Sequence, residues 1–279
     1  MSFFERGRPR VFAHRGGSAL GPENTLAAFE LGLRAGADGL ELDVHLSADG
    51  VPVVFHDDVL DRTTNATGPV TARPAAELAR VDAGWHFRDA SGAHPFRGQG
   101  IGVPSLRDVL LRHRGVPIII EMKDDSAALG ECVARDIHAA RAHETACAAG
   151  YGRVSADAVR RALPSVATSA SHHEVRLALY RSWLGFPVSR PPFGGYQVPE
   201  HAGWIRIVSP RFIRHAHAAG LEVQVWTVDE RADMERLLAW GADALITNRP
   251  DIAVGVRDSF VHATGVLRPI VAQAGSGGA

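Results

Sequence analysis

The chain reads as an α/β protein of the (β/α)8 TIM-type barrel class, with a small insertion after the second strand. Three observations predict this. Strand-like and helix-like segments alternate about eight times over roughly 250 residues, the length and rhythm of such a barrel. His14, Glu41, Asp43, Glu121 and Lys123 all fall at or next to the C-terminal ends of strand-like runs; in a barrel those ends form one face, where active sites are built. The competing open, doubly wound sheet loses support because the glycines after the first strand do not form G-x-G-x-x-G.

The elements follow in order. Residues 10–13 are an apolar run closing on His14. Pro22-Glu-Asn-Thr-Leu26 starts a helix, with Asn24 or Thr25 as cap and Leu26, Phe29 and Leu33 at helical spacing. Gly36 stops it, and Ala37-Asp38-Gly39 turns into a second strand over 40–45, which completes a βαβ unit. In that strand Leu40, Leu42 and Val44 alternate with Glu41, Asp43 and His45, so the three ionisable groups share one face. Asp49-Gly50 is a hairpin signal. The run Val51 to Phe55 contains Pro52, which suits an edge strand, and it ends in His56-Asp57-Asp58. Residues 57–104 are turn-rich, with one short helical piece from Pro74 to Arg80. Their apolar residues are too few and scattered for a separate core, so the segment reads as an insertion.

Ser105 caps a helix that runs to about Arg114. Val116 to Lys123 contains three consecutive isoleucines, as a strand buried on both faces requires, and it delivers Glu121 and Lys123 on one side. Beyond it come a helix over 126–143, a weak strand over 145–150, a short helix over 155–162, a short strand over 166–169 and a helix over 172–183. Residues 184–204 are rich in Gly and Pro and contain a strand at Tyr196–Pro199; 205–208 is another extended piece. A helix starts at Pro210 and stops at Gly220. Glu222 to Val228 alternates as a strand, Asp229 caps a helix over 230–240 ended by Gly241, and 244–247 is the last strand. Asn248-Arg-Pro-Asp leads into a final short segment. One barrel domain is expected over 1–270, with a flexible tail at 271–279.

Composition narrows the class. Hydrophobic residues make up 46% and charged residues 22%, and the formal net charge is -1. That balance excludes a nucleic-acid footprint and a polybasic membrane patch. No run is long and apolar enough to be a signal-peptide core or a membrane span, so no stable membrane insertion is expected. Two isolated cysteines, Cys132 and Cys147, suit a reducing compartment, and a cytoplasmic location is the expectation. The partner to expect is a small molecule.

Three carboxylates in one dry pocket repel unless a cation holds them. Glu41, Asp43 and Glu121 therefore read as metal ligands, and an all-oxygen set favours Mg²⁺ or Ca²⁺ over zinc. His14 and His56 read as general acid and base, and Arg15 and Lys123 as cations for an oxyanion such as phosphate. Together these groups describe hydrolysis of a phosphate ester: one histidine activates a hydroxyl and the other protonates the leaving group. His45 shares the Glu41 face and reads either as support for the ligands or as a group without a role. Asn24 either caps the helix or reaches the site. Trp226 ends a strand on the active face and packs either against substrate or in the core. Lys123 and Arg15 have a plainer reading as structural partners of the carboxylates. The remaining histidines, His113 and His217 among them, read as surface or satisfied groups.

His14-Arg-Gly16, Pro22-Glu-Asn-Thr25, Glu41-Leu-Asp43, Asp49-Gly50, His56-Asp57, Leu60-Asp-Arg-Thr-Thr64 with Gly68, Glu121-Met-Lys123 and Val225-Trp-Thr-Val228 come in order at sensible spacings. As a set they resemble the motifs of the glycerophosphodiester phosphodiesterases, from residue 10 to about 252. The resemblance implies a TIM-type barrel with an insertion after the second strand. It also implies metal-dependent hydrolysis of glycerophosphodiesters to glycerol 3-phosphate and an alcohol. By position it makes Glu41, Asp43 and Glu121 metal ligands, His14 and His56 the acid/base pair, and Arg15 and Lys123 phosphate contacts. Met122 stands where the family commonly has isoleucine. Other readings are a lysophospholipase D or phospholipase C-like enzyme, and a catalytically silent phosphodiester-binding barrel. An amidohydrolase would need His-x-His after the first strand, where this chain has His14-Arg-Gly16.

Overall fold

A computed structural model describes residues 3–4, 9–150, 152–186 and 191–265. The expected tail at 271–279 lies outside the described residues. The chain runs β1 (Arg10–Ala13), α1 (Leu26–Arg34), β2 (Gly39–Leu46), β3 (Pro52–Val54), α2 (Ala75–Leu78), α3 (Leu106–Arg112), β4 (Ile118–Met122), α4 (Ala127–Ala140), β5 (Ala146–Gly150) and α5 (Arg153–Ala162). It continues through β6 (Ala167–Thr168), α6 (His172–Leu184), β7 (Gly195–Pro199), β8 (His201–Ala202), β9 (Ile205–Arg206), α7 (Pro210–Ala218), β10 (Glu222–Trp226), α8 (Arg231–Trp240), β11 (Ala244–Thr247) and α9 (Pro250–Thr264).

Eight strands pair in parallel in the order β6-β5-β4-β2-β1-β11-β10-β7. A parallel bridge from Ser169 to Gly195 brings the two outer strands together and closes the ring. This is the barrel the sequence predicts. β3 lies antiparallel on β2, the edge extension expected of a run with Pro52 in it. β8 and β9 form a separate hairpin just beyond β7.

Alternation divides the core. Outward side chains such as Val11, Leu40 and Ile118 pack under the helices in two large clusters. Inward ones, including Phe12, Ile119, Cys147 and Ile246, fill the barrel with Phe3. Phe3 and Phe4 plug the N-terminal mouth. Phe3 stacks on Phe12 at 5.9 Å between ring centroids, and the Arg10 guanidinium sits 5.2 Å from the Phe3 ring centroid. A Cβ at Gly194 would lie 2.2 Å from the Phe4 ring, so any side chain there would have to displace that ring.

Three expectations change. Asp229 does not cap α8: Glu230 is the N-cap residue, without a side-chain bond, and the Asp229 carboxylate turns instead to Thr247 and Asn248. The final segment is a 15-residue helix, not a short one. The insertion has a small core of its own, in which Leu60, Val70, Leu78, Ala83 and Val103 pack on Val53 and Phe55. Among the described residues, no helix is long and apolar enough to cross a membrane.

Candidate active site

Parallel pairing of β2 with β4 sets Asp43 opposite Glu121 and Glu41 opposite Ile119. Period-two alternation then turns all three carboxylates into the barrel mouth, with Leu42 and Met122 buried on the other side. Glu41 and Asp43 are buried, and one oxygen from each of Glu41, Asp43 and Glu121 lies within 4.8 Å of the others. Burial, followed by Asp43 and Glu121, pushes the Glu41 carboxyl well above its ordinary range. Burial and Asp43 likewise raise Glu121, against Lys123. Lys123 Nζ stands 3.4 Å from Asp43 and 3.3 Å from Glu121. Burial works against its charge, but these two acids outweigh it and raise its pKa.

The loop after β1 supplies the donors. Arg15 and Asn24 adopt left-handed backbone angles, φ 51° and 58°, a strain that side chains other than glycine bear at functional sites. The result is aim. The Arg15 N–H donates to Glu41 at 2.9 Å, and the buried Asn24 amide donates to Asp43 at 2.9 Å. Thr25, not Asn24, caps α1. A Cβ on Gly16 would meet the Ala28 backbone at 2.8 Å, so only glycine lets this loop close onto α1.

Each histidine is held through Nδ1. For His14 the partner is Asn248 Oδ1 at 2.7 Å. Asn248 Nδ2 donates to Asp229 at 2.8 Å, so its oxygen faces the ring and accepts the Nδ1–H. Nε2 is left for the mouth, 3.9 Å from Glu41. Burial and then Arg15 lower the His14 pKa, which favours the neutral ring. For His56 the Nδ1 partner is Asp57 Oδ1 at 2.6 Å. Buried His45 lies behind the mouth, its Nε2 3.1 Å from the His56 carbonyl, and so supports that loop.

His14, Arg15, Glu41, Asp43, His56, Glu121, Lys123 and Trp226 all line one cavity of about 90 Å³, with Ile119 and Ile246 as its floor and Gln197 in its wall. Trp226 is 37% exposed and so is not a core residue. His113 is edge-on to Phe29, and His217 is 2.8 Å from Asp243; neither is part of the mouth. Asn248 was not singled out by the sequence, Asp229 was read only as a helix cap, and Glu23 and Arg62 entered only within the motifs of the family resemblance. Asn248 directly follows the last strand, and that position was the available signal.

The donors suit a hard divalent cation. Three carboxylates converge with oxygen ligands only, and two of them are raised by burial and by the charge of Asp43, which a cation would relieve.

Fold and mouth together define a barrel hydrolase. Residues 14–252 match the glycerophosphoryl diester phosphodiesterase family, and the chain belongs to it. It is 32% identical over 252 residues to a glycerophosphodiester phosphodiesterase from Caldanaerobacter subterraneus, covering 88% of this chain and 96% of the relative. A phosphodiesterase from Oleispira antarctica, solved in complex with the product sn-glycerol 3-phosphate, superimposes with a TM-score of 0.70 at 25% identity, covering 90% of this chain and 97% of that one. The glycerophosphoryl diester phosphodiesterase domain of a Mycobacterium tuberculosis protein shares the fold with a TM-score of 0.76 at 21% identity, covering 90% and 99%.

Proposed function

We propose that this chain hydrolyses glycerophosphodiesters to glycerol 3-phosphate and an alcohol, with Mg²⁺ or Ca²⁺ held by Glu41, Asp43 and Glu121. The observation that carries this reading is the convergence on one cavity of three carboxylates, two cations and two histidines whose Nδ1 atoms are already engaged. When bound, the cation would supply Lewis-acid polarisation of the phosphoryl oxygens.

The remaining work falls to the chain's own groups. Arg15 and Lys123 meet the negative charge of the phosphate and keep it at the carboxylate end of the cavity. His14, favoured as the neutral ring, accepts on Nε2 the proton of the attacking hydroxyl while Asn248 stabilises the Nδ1–H. As the new O–P bond forms and the old one breaks, His56, entering this step as the doubly protonated imidazolium, delivers its Nε2 proton to the departing alcohol and is left as the neutral Nδ1–H ring. Its Nδ1–H stays on the Asp57 carboxylate. Trp226, half-exposed at the rim, offers a flat apolar face to the glycerol or the head group.

The test is release of glycerol 3-phosphate from glycerophosphocholine or glycerophosphoethanolamine, run separately with Mg²⁺ and Ca²⁺. The proposal fails if metal-loaded protein is inert on every glycerophosphodiester tried, or if His14→Ala leaves turnover unchanged.

A further inference from the structure

We propose that Arg62, delivered by the insertion, is a positioning residue that clasps His56 and Arg15 into register across the mouth. Its guanidinium makes two forks at once. Toward Asp57, Nε donates to Oδ2 at 2.6 Å and Nη2 to Oδ1 at 3.0 Å. Toward Glu23, Nη1 donates to Oε2 at 2.8 Å and Nη2 to Oε1 at 2.7 Å. Each acid passes the constraint on. Asp57 Oδ1 accepts from His56 Nδ1 at 2.6 Å, and Glu23 Oε1 accepts from Arg15 Nη1 at 3.0 Å. Arg15 Nε in turn stands 3.3 Å from Asp43. One side chain thereby connects a histidine and an arginine of the cavity through separate carboxylates.

The arrangement differs from an ordinary surface pair. The side chain of Arg62 is half-exposed, but those of Asp57 and Glu23 are only 23% and 16% exposed. The three residues come from different stretches: the loop after β1, the end of the run that contains β3, and a short 3₁₀ turn at Leu60–Arg62. That turn is anchored by Leu60, which packs beside Phe55 in the insertion's small core. The insertion thus places one cation where two loops of the site must be held together. Arg62 foremost, then His56, keeps the Asp57 carboxyl far below its ordinary range, so an acceptor for the His56 Nδ1–H is always present. That fixes the neutral ring as the Nδ1–H tautomer, with Nε2 facing the cavity to take up the proton it delivers as an acid. A lysine carries the charge but cannot form two planar forks.

The kinetic part of the test rests on the phosphodiesterase reading; the spectroscopic part does not. In ¹⁵N-histidine NMR of the whole protein, at a pH where the ring is neutral, wild type should show His56 as a single Nδ1–H tautomer. Arg62→Ala and Arg62→Lys should both show the two tautomers mixing. In turnover of glycerophosphocholine, each should lower kcat by about 100-fold, the cost of a catalytic group misplaced by about an ångström. The double variant Asp57→Asn with Arg62→Ala should lose less than the two single losses combined, because both act on the His56 ring and only Arg62 also holds Arg15 through Glu23. An unchanged tautomer in both Arg62 variants, full rescue by lysine, or additive losses in the double variant would each overturn the proposal. If no glycerophosphodiester is turned over at all, the functional reading fails while the tautomer still decides this one.

Discussion

At the N-terminal end of the barrel, Arg10 meets Glu222 at 2.6 Å, His217 meets Asp243 at 2.8 Å, and Arg257 pairs with Asp38. The same acids also cap strand amides: Asp38 accepts from Val11 N and Asp243 from Val223 N. At the C-terminal end, Glu41, Asp43 and Glu121 crowd together, facing Lys123 and an Arg15 that is shared with Glu23. Both ends bury charge, and both lose its hydration. At the base each acid has a partner the fold positions, and only Glu222 stays raised, by burial, despite Arg10. At the mouth two carboxylates are left raised by burial and by the neighbouring Asp43. A site that binds a cation and a phosphate needs unmet charge, and a base that holds the barrel closed needs none.

The largest expected effect separates the two ends directly. Glu41→Gln removes a proposed ligand and one of the repelling charges. Turnover of glycerophosphocholine should fall by roughly 10³-fold or more. Thermal unfolding in metal-free buffer should instead move up by a few degrees, about 1 kcal/mol. A drop in that stability would mean the mouth is no more strained than the base. Next in size is the reverse experiment. Arg10→Met keeps an apolar stem beside Phe3 and Phe12 but leaves Glu222 buried without its guanidinium. Urea unfolding should show a loss of about 3–5 kcal/mol, with kcat of the folded fraction unchanged. If kcat falls in proportion, the ends are coupled and the comparison fails.

How much of this was legible follows from the range of each interaction. The acids of β2 and β4 were readable because alternation is local, and His14 because a strand end beside glycine is a local signal. The barrel class was readable from rhythm. Asn248 was not, because it acquires a role only when β11 comes to lie beside β1, pairing Thr247 with Ala13. Asp229 was misread for the same reason: a carboxylate before a helix satisfies the capping rule, and only the pairing of β10 with β11 brings up the competing donors at Thr247 and Asn248. The insertion's core escaped because Leu60, Val70, Leu78 and Val103 keep no periodic spacing; they meet only once the loop is folded. The helix α9 was cut short by the reading of its start as a loop. Its interior Gly255 is a weak helix former, and its packing through Ala253 and Val256 overrides that.

Metal addition gives the third test. If the mouth alone holds the charge deficit, Mg²⁺ or Ca²⁺ at about 100 times its Kd should stabilise wild type by about 2.7 kcal/mol. Arg10→Met should keep the full increment and Glu41→Gln should lose most of it, as read by thermal shift against EDTA. An equal increment in all three proteins would place the ion elsewhere.

The smallest effect is at the base and concerns pH. Burial, and secondarily Asp243, pushes the Glu222 carboxyl up to about 7 despite Arg10. The folded chain therefore holds a proton on Glu222 at pH values where the unfolded chain, with an ordinary glutamate near 4.5, has already released it. The unfolded state binds fewer protons across that window, so this group's contribution is complete below about 4.5 and declines as pH rises toward 7, at up to about 1.4 kcal/mol per unit. Glu222→Gln has no proton to lose. The difference in unfolding free energy between wild type and Glu222→Gln should slope downward from pH 5 to 7 and flatten above it. A difference that stays flat from pH 5 to 7 would show that Arg10 holds Glu222 ionised throughout. The base would then be a fully satisfied ion pair, and the contrast with the crowded mouth would be sharper still.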